Sequence, residues 1–356
     1  MTSLLVSVLR GLVFIMVKNN SKPTVVDLFC GAGGLSEGFR MAGYKILLGT
    51  DIDKYAISTF KKNNKRAKTI SEDIRTVSGE KIKELLADQK VDVVVGGPPC
   101  QGFSNAGMRD PNDPRNSLFM EFVRIVGTLR PEWIVMENVP GILTMKTSSG
   151  ELVKDIILKE FDRIGYKVKT KILLAADYGV PQKRRRVIFL GTRTGNQITF
   201  PLETYSNRPK KLLNGIVQKK WIGVGNVLEK KVDKKYYHTA RMIEGFKRRK
   251  AENEASGNGF GWQILDMAEP SYTISARYWK DGSDAIVQYS ENKARMLTER
   301  EVARIQSFPD DYQFVGPKRE VYRQIGNAVP CLLAKALAIE IKSKLRTLQI
   351  QSMVQS

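Results

Sequence analysis

The order of apolar segments in the first half of the chain restricts its fold more than any other feature of the sequence. From Thr24 to about Gly191, short runs rich in β-branched residues alternate with longer amphipathic runs. The short runs are TVVDLF, KILLGTD, VDVVVGG, WIVMEN, KILLAAD and RVIFLG. Strands that alternate with helices predict an α/β fold, in which helices cover both faces of a doubly wound, mostly parallel sheet.

The residues after this alternation have a different composition. Over residues 208–250 there are fourteen Lys or Arg residues against three acidic ones, about half of the excess charge of +21 that the whole chain carries. Aromatic residues lie among the basic ones, namely Trp221, Tyr236, Tyr237 and Phe246. A solvated basic face is one interpretation. Because the charge is confined to a segment without βα rhythm, we favour a separate module that faces nucleic acid, with an anionic membrane surface as the second candidate.

The cysteine and histidine content argues against metal and disulfide sites. The three cysteines, Cys30, Cys100 and Cys331, form no CxxC pair, and His238 is the only histidine. We therefore expect a reduced intracellular protein with no zinc, no other metal and no disulfide. The first 17 residues are apolar but too short to span a bilayer, so we expect no membrane anchor.

A glycine turn follows the first strand. In DLFCGAGG a buried strand runs into glycines and then a helix, which is where an α/β sheet binds a nucleotide-like ligand. Asp51 ends the next strand, at the place where a carboxylate accepts ribose hydroxyls, and Asp73 follows the strand after that. The register that starts at Gly31 puts Ser36 where a dinucleotide motif has its last glycine, which disfavours NAD. A purely structural glycine turn remains the alternative.

Reactive side chains follow three of the predicted strands. GGPPC places Cys100 in a stiff segment beyond a strand end, which favours a thiolate nucleophile; a buried thiol is the alternative, and we assign that role to Cys331. Glu137 ends an apolar strand, where burial favours a neutral proton donor. Alternation sends Arg184 and Arg186 to one side of the next strand. Thiolate, acid and guanidinium suit attack on C6 of a pyrimidine, which prepares C5 for an electrophilic methyl group.

These segments resemble, in order, the motifs of the DNA (cytosine-5) methyltransferases of prokaryotic restriction-modification systems. The resemblance runs from about Thr24 to Leu345 through DLFCGAGG, TDIDK, EDI, GGPPCQGFS, ENV, QKRRR, RMLTEREVARIQSFPD and QIGNAVP. It implies a Rossmann-like class I methyltransferase fold with a smaller target-recognition domain. It also implies sequence-specific transfer of a methyl group from S-adenosyl-L-methionine to C5 of a flipped-out cytosine in duplex DNA, through a covalent Cys100–C6 intermediate.

The resemblance also assigns residues to roles. Cys100 would be the nucleophile, Glu137 the partner of cytosine N3 and Arg186 the ligand of O2, with Arg184 and Gln182 in support. The implied cofactor-binding residues are Asp27, Phe29, Gly31, Gly33, Asp51, Ile52, Asp73, Ile74, Pro98 and Asn327, although many relatives carry an aromatic residue in place of Ile52. The implied DNA-binding residues are Gln101, Ser104, Thr273, Ile274 and Arg277.

We expect five segments along the chain. Residues 1–22 would be an N-terminal extension, either disordered or the product of an over-extended start, because Met16 precedes a more natural polar lead-in. They would be followed by a catalytic and cofactor-binding domain (23–192), a target-recognition domain (193–290), a C-terminal segment that returns to the first domain (291–348), and a tail (349–356).

We expect a cytoplasmic, DNA-associated monomer that shares its DNA site with a cognate restriction endonuclease without a stable complex. Two alternatives stand beside this interpretation: a cytosine-5 methyltransferase acting on tRNA, and an inactive DNA-binding relative. The long basic recognition segment favours duplex DNA over tRNA, and the competent residue at every catalytic position favours an enzyme.

Overall fold

The computed structural model describes residues 21–99, 118–147, 149–257, 262–280 and 282–355, with side chains up to residue 345. The predicted N-terminal extension therefore lies almost wholly outside the described residues.

The first half of the chain forms a seven-stranded sheet. Its strands are β1 (Thr24–Leu28), β2 (Lys45–Thr50), β3 (Lys68–Ile70), β4 (Val93–Gly96), β5 (Trp133–Asn138), β6 (Lys167–Leu174) and β7 (Arg185–Thr192). Their spatial order is β3-β2-β1-β4-β5-β7-β6. All neighbours are parallel except that β7 runs antiparallel to both β5 and β6. The predicted mostly parallel α/β sheet is confirmed, and the short strand β3 is the one expected before Asp73.

Helices cover both faces of the sheet. In chain order they are α1 (Gly34–Met41), α2 (Lys54–Asn63), α3 (Gly79–Leu85), α4 (Leu118–Leu129) and α5 (Val153–Arg163). Val25 and Val26 are adjacent in β1 and are both fully buried, but they belong to two different apolar clusters. Because successive side chains of a strand point to opposite faces, this separation shows that neither face of the sheet meets solvent at β1.

The second half of the chain builds a smaller unit with its own core. It contains β8 (Tyr205–Ser206), β9 (Lys219–Lys220), α6 (Ala240–Ala255), β10 (Ile286–Ser290), β11 (Lys293–Met296), α7 (Glu299–Ile305), α8 (Lys318–Asn327) and α9 (Cys331–Gln355). One apolar cluster joins Val224 and Ile274 to Val302 and Tyr322. The predicted boundary at residue 290 thus falls inside the β10–β11 hairpin. We propose that this smaller unit corresponds to the predicted target-recognition domain, and we call it the recognition unit. We propose further that it extends to about residue 328, because α7 and α8 complete its core.

The last helix, α9, packs against the first unit. Its residues from Leu333 to Leu345 share a cluster with Val25 and with Phe39 of α1. Cys331 is completely buried, as expected for a packing thiol. The helix continues to Gln355, so the predicted tail at 349–356 is not a separate segment. The stretch 318–345 is long and apolar enough for a membrane span, but 67% of its most apolar window is buried inside the protein, which is typical of a core helix.

Candidate active site

The turn after β1 brings the predicted cofactor residues together. Phe29 has φ of 58°, Gly31 of 52° and Gly33 of 89°, so the backbone folds back through left-handed conformations that favour glycine. The backbone N–H of Gly31 donates to Oδ2 of Asp51 at 2.7 Å. Oδ1 of the same carboxylate accepts from the N–H of Asp53 at 2.8 Å. The Asp51 carboxylate therefore joins the end of β2 to the glycine turn that follows β1.

Two carboxyl groups lie at this turn, with Asp51 half-buried and Asp27 completely buried. Burial raises the pKa of Asp51, although the hydrogen bonds from Asp53 and Gly31 act against it. Asp27 is completely buried, and burial raises its pKa to about 7 even though the N–H and hydroxyl of Ser36 both donate to its Oδ2. Its Oδ1 atom has no hydrogen-bond partner within the described part of the chain. The turn thus favours a neutral Asp27 near neutral pH.

The other predicted cofactor residues surround the same edge of the sheet. Ile52 is 67% exposed, and Asn327 is exposed at the end of α8. The Asp73 carboxylate pairs with Arg75, with Oδ2 2.5 Å from Nη2, and this pairing lowers the pKa of Asp73. Ile74 and Pro98 are buried beside these strand ends.

Glu137 and Arg186 form an ion pair at the ends of two neighbouring strands. Nε of Arg186 lies 2.6 Å from Oε1 of Glu137, and each side chain is only about one tenth exposed (12% and 11%). Both residues come from the β5–β7 pair, whose antiparallel register sets Glu137 opposite Ile188. A Cβ atom at Gly97 would lie 2.9 Å from Oε2 of Glu137, so glycine is needed for the carboxylate to approach the segment that follows β4. The predicted acid and guanidinium are therefore in direct contact.

Arg184 and Gln182 hold the surrounding segments rather than facing the cleft. Nη1 and Nη2 of Arg184 donate to the carbonyls of Ile274 (3.2 Å) and Gly326 (2.8 Å). Burial lowers the pKa of Arg184 well below its ordinary value, and the nearby charge of Arg186 acts in the same direction. Gln182 donates to Oε1 of Gln306 and accepts from the N–H of Ile274. Both side chains tie the start of β7 to the smaller unit, which agrees with a supporting role.

The predicted nucleophile and two DNA-contacting residues, Cys100, Gln101 and Ser104, lie outside the described residues. The chain leading to them is held at Pro98, whose carbonyl accepts from Nδ2 of Asn138 at 3.3 Å. The ends of β4 and β5 are thereby tied together next to Glu137.

Of the three remaining DNA-binding candidates, two are accessible. Thr273 and Arg277 are exposed, and the Thr273 hydroxyl donates to the carbonyl of Lys183 at 3.1 Å. Ile274 is completely buried in the core of the recognition unit, so its side chain cannot reach DNA in this structure, and that assignment is corrected. The reason is its alternation with Thr273: when one side chain faces the cleft, the next faces the core.

A cleft of about 540 Å³ lies where the two units meet. Its walls include Pro140, Lys183, Arg186, Asn207, Trp221 and Thr273. Residues at the start of β7, and Pro140 beyond the end of β5, thus face residues of the recognition unit across one space, and Arg186 of the charged pair lies at its wall.

Sequence reasoning missed three residues that shape the site. Gly97 enters the sequence analysis only as a letter of GGPPC. Its closeness to Glu137 comes from the pairing of β4 with β5. Tyr312 donates through its hydroxyl to the carbonyl of Ala32 at 2.5 Å and so closes the glycine turn from the C-terminal side. Trp221 was noted only as an aromatic residue in the basic segment. Its position directly after Lys219 and Lys220 was the one feature of the sequence that could have indicated a role at the site.

Comparison with known proteins agrees with this geometry. Residues 23–343 match the model of the C-5 cytosine-specific DNA methylase family. The chain is 37% identical to the Type II methyltransferase M.DdeI of Desulfomicrobium norvegicum, over 89% of this chain and 88% of the relative. It is 38% identical to the Type II methyltransferase M1.HphI of Haemophilus parahaemolyticus, over 88% and 85%.

A similar solved structure is that of a DNA modification methyltransferase encoded within a prophage of E. coli. It superposes with a TM-score of 0.68 at 25% identity, covering 91% of this chain and 100% of that one. The matched span includes the glycine turn, the Glu137–Arg186 pair and the recognition unit. The chain belongs to the C-5 cytosine-specific DNA methylase family.

Proposed function

We propose that the chain methylates C5 of a cytosine within a specific sequence of duplex DNA, as the methyltransferase of a Type II restriction-modification system. The observation that carries this proposal is the ion pair of Glu137 and Arg186 beside the segment that leads to Cys100. The family membership and the Type II names of the relatives M.DdeI and M1.HphI support it.

The turn after β1 fits S-adenosyl-L-methionine. A Cβ atom built on Gly31 would meet no atom within 4 Å, so there is open space beside the turn. Asp51 offers carboxylate oxygens to ribose hydroxyls at this place, and the exposed apolar side chain of Ile52 offers a surface to the adenine. When bound, the cofactor supplies an electrophilic methyl group. Asp27, Phe29, Gly33, Asp73, Ile74, Pro98 and Asn327 would complete its surroundings.

The Glu137–Arg186 pair can polarise a cytosine ring. A carboxylic acid at N3 and a guanidinium at O2 stabilise the electron density that leaves C6 when a nucleophile adds there. We infer that the Cys100 thiolate forms this bond, that Glu137 delivers the proton to N3, and that C5 then carries the new methyl group. Removal of the C5 proton by a base then restores the C5–C6 double bond as the C6–S bond breaks, and the N3 proton returns to Glu137. The target base reaches this site by rotating out of the duplex, which costs a few kcal/mol.

Other properties are part of the same proposal. A cytoplasmic monomer that needs no metal and forms no stable complex with its endonuclease would suffice for this chemistry. Within the described residues, no three His, Cys, Asp or Glu side chains are grouped as metal ligands would be.

The first experiment is to sequence 5-methylcytosine in DNA from cells that express the chain. We expect methylation at one short recurring sequence. Methylation of tRNA instead, or of neither nucleic acid, would refute the proposal.

The covalent step has a separate test. Fluorine at C5 of the target cytosine cannot be removed as a proton, so the Cys100–C6 bond should persist as a denaturant-resistant adduct that requires S-adenosyl-L-methionine. Cys100→Ser should form no adduct while it keeps cofactor binding, whereas Cys30→Ser, the matched control at a buried thiol, should still form it. Glu137→Gln should slow the adduct by roughly 10²- to 10⁴-fold because the amide cannot supply a proton. An adduct through another residue would exclude this mechanism.

A further inference from the structure

The cleft contains more than the methylation chemistry requires. Arg186, the partner of Glu137, lines one wall, while Trp221 and Asn207 line the cleft from the recognition unit. Its volume of about 540 Å³ exceeds the space that one pyrimidine ring fills. The cleft therefore has room for more than the target ring alone.

Trp221 is held in one orientation. Its indole N–H donates to Oδ1 of Asp177 at 2.9 Å, and its backbone N–H donates to the carbonyl of Ser206 at 3.0 Å. The ring is half-buried, and with its only polar hydrogen already bonded, what it offers to the cleft is apolar aromatic surface. A tryptophan fixed in this way loses little conformational freedom when something stacks on it.

Among the basic side chains that line the cleft, Arg185 is the one available to an anionic ligand. Nζ of Lys183 lies 5.6 Å from the centre of the Trp221 ring and 2.9 Å from Oε2 of Glu269, so the charge of Lys183 is already paired. Arg185 also lines the cleft, is exposed, and makes no ion pair with any described residue. An aromatic surface and an unpaired guanidinium in one cleft are the combination that binds a base together with a neighbouring phosphate.

We propose that Trp221 stacks on the base next to the target cytosine in the same strand, and that Arg185 binds the adjoining phosphate. This inference rests on the proposed function, since the Glu137–Arg186 pair defines where the target ring lies. When the target rotates out of the duplex, its neighbour loses a stacking partner. Trp221 replaces that partner, and this stacking offsets part of the cost of flipping whichever base stands at this position.

The test is a thermodynamic cycle between protein and DNA changes. Affinity is measured, with the demethylated cofactor bound, for duplexes that contain the sequence identified by 5-methylcytosine sequencing. An abasic nucleotide is placed at the target position or at either neighbour. Trp221→Leu should weaken binding to the intact duplex by roughly 5- to 150-fold, and Trp221→Phe, which keeps a ring, should recover most of this loss. With an abasic nucleotide at the correct neighbour, the effect of Trp221→Leu should disappear.

Controls separate this role from a structural one. Tyr289→Leu removes an aromatic side chain that is 53% exposed and does not line the cleft, and it should leave DNA affinity unchanged. Trp221→Leu should keep the melting temperature and the affinity for S-adenosyl-L-methionine. If those fall as steeply as DNA affinity, the ring is structural and the inference is overturned.

Arg185→Gln gives an independent arm. A methylphosphonate at the adjoining phosphate should weaken binding of the wild-type chain but add nothing to the weakening caused by Arg185→Gln. The inference would be overturned if the protein and DNA changes had additive effects at every position, or if Trp221 were coupled to the target position alone. In either case, the proposed function would stand as long as the wild-type chain methylates DNA. A wild-type chain that methylates no DNA would overturn both.

Discussion

Asp27 shows how the environment of one residue sets its chemistry. The carboxyl group lies inside β1 and is completely buried, with two hydrogen bonds from Ser36 on one oxygen and no described partner for the other. Desolvation outweighs these hydrogen bonds and raises its pKa from 3.8 to about 7. The folded chain therefore favours the neutral form in a range of pH where the unfolded chain ionises.

This difference predicts a pH-dependent effect of Asp27→Asn in the cofactor-free chain. The raised pKa means that the stability contributed by neutral Asp27 is complete below the unfolded pKa of 3.8 and is lost as pH rises through about 7. The amide stays neutral, so the free energy of unfolding of the variant, relative to that of the wild type, should rise by up to about 1.4 kcal/mol for each pH unit between 3.8 and about 7. Urea unfolding at pH 5 and pH 8 measures the gain, and any constant cost of the amide cancels. An unchanged difference between the two pH values would contradict the assignment.

Among the elements, α7 depends on one buried ion pair. Nη1 of Arg295 in β11 lies 2.7 Å from Oε2 of Glu301, and Nη2 donates to Oε1 at 2.8 Å. Glu301 also completes the capping box at the start of α7 by accepting from the N–H of Thr298. Both charged side chains are fully buried, so each needs the other.

Glu301→Gln should therefore leave a buried guanidinium uncompensated and lower the free energy of unfolding by about 3–5 kcal/mol. The matched control is Glu72→Gln, which removes the exposed partner of Lys81 and should cost no more than about 1 kcal/mol. Denaturant unfolding compares the two. Equal losses would show that burial of the pair has no energetic consequence.

The basic segment at 208–250 should act through phosphates. Lys210, Lys211 and Lys234 are exposed there, and changing all three to Gln should weaken binding to every DNA sequence. The slope of log affinity against log salt should fall by about 0.9 for each DNA phosphate that the variant no longer neutralises. The control changes three exposed lysines of the first unit, Lys61, Lys62 and Lys65. A slope that changes only in the control would place the DNA surface elsewhere.

At the scale of the whole molecule, the first and last helices of the described residues pack against each other. α1 follows the glycine turn, and α9 packs against it near the C-terminal end. A Cβ atom on Gly38 of α1 would lie 2.4 Å from Cβ of Ala334 and 2.5 Å from the carbonyl of Cys331. The last helix thus supports the turn at which we place the cofactor.

Gly38→Val should separate these helices, lower the free energy of unfolding by about 1–3 kcal/mol and weaken binding of S-adenosyl-L-methionine. Gly245→Val is the control, because Gly245 is also helical but a Cβ there would meet nothing within 4 Å. Calorimetric titration with the cofactor and thermal melting measure both effects. Equal behaviour of the two variants would show that close packing at Gly38 does not matter.

The sequence by itself determined the sheet and the residue types at its edge, because both depend on patterns that repeat over a few residues. The alternation of strands and helices predicted the α/β class, and the glycine turn, Asp51 and Glu137 follow strands that end where the pattern stops. The eight ordered motifs added the family. The order of strands and helices, and the residues that follow each strand, could therefore be predicted from the periodicity of short segments.

Only the tertiary structure decided which distant residues touch. The ion pair of Glu137 with Arg186 exists because β7 lies antiparallel between β5 and β6, an order that periodicity does not contain. The same holds for the burial of Ile274, and for a recognition unit whose core crosses the expected boundary at residue 290. These contacts depend on how whole elements pack together, and packing is settled by shape and buried area across the molecule rather than by any short stretch of sequence.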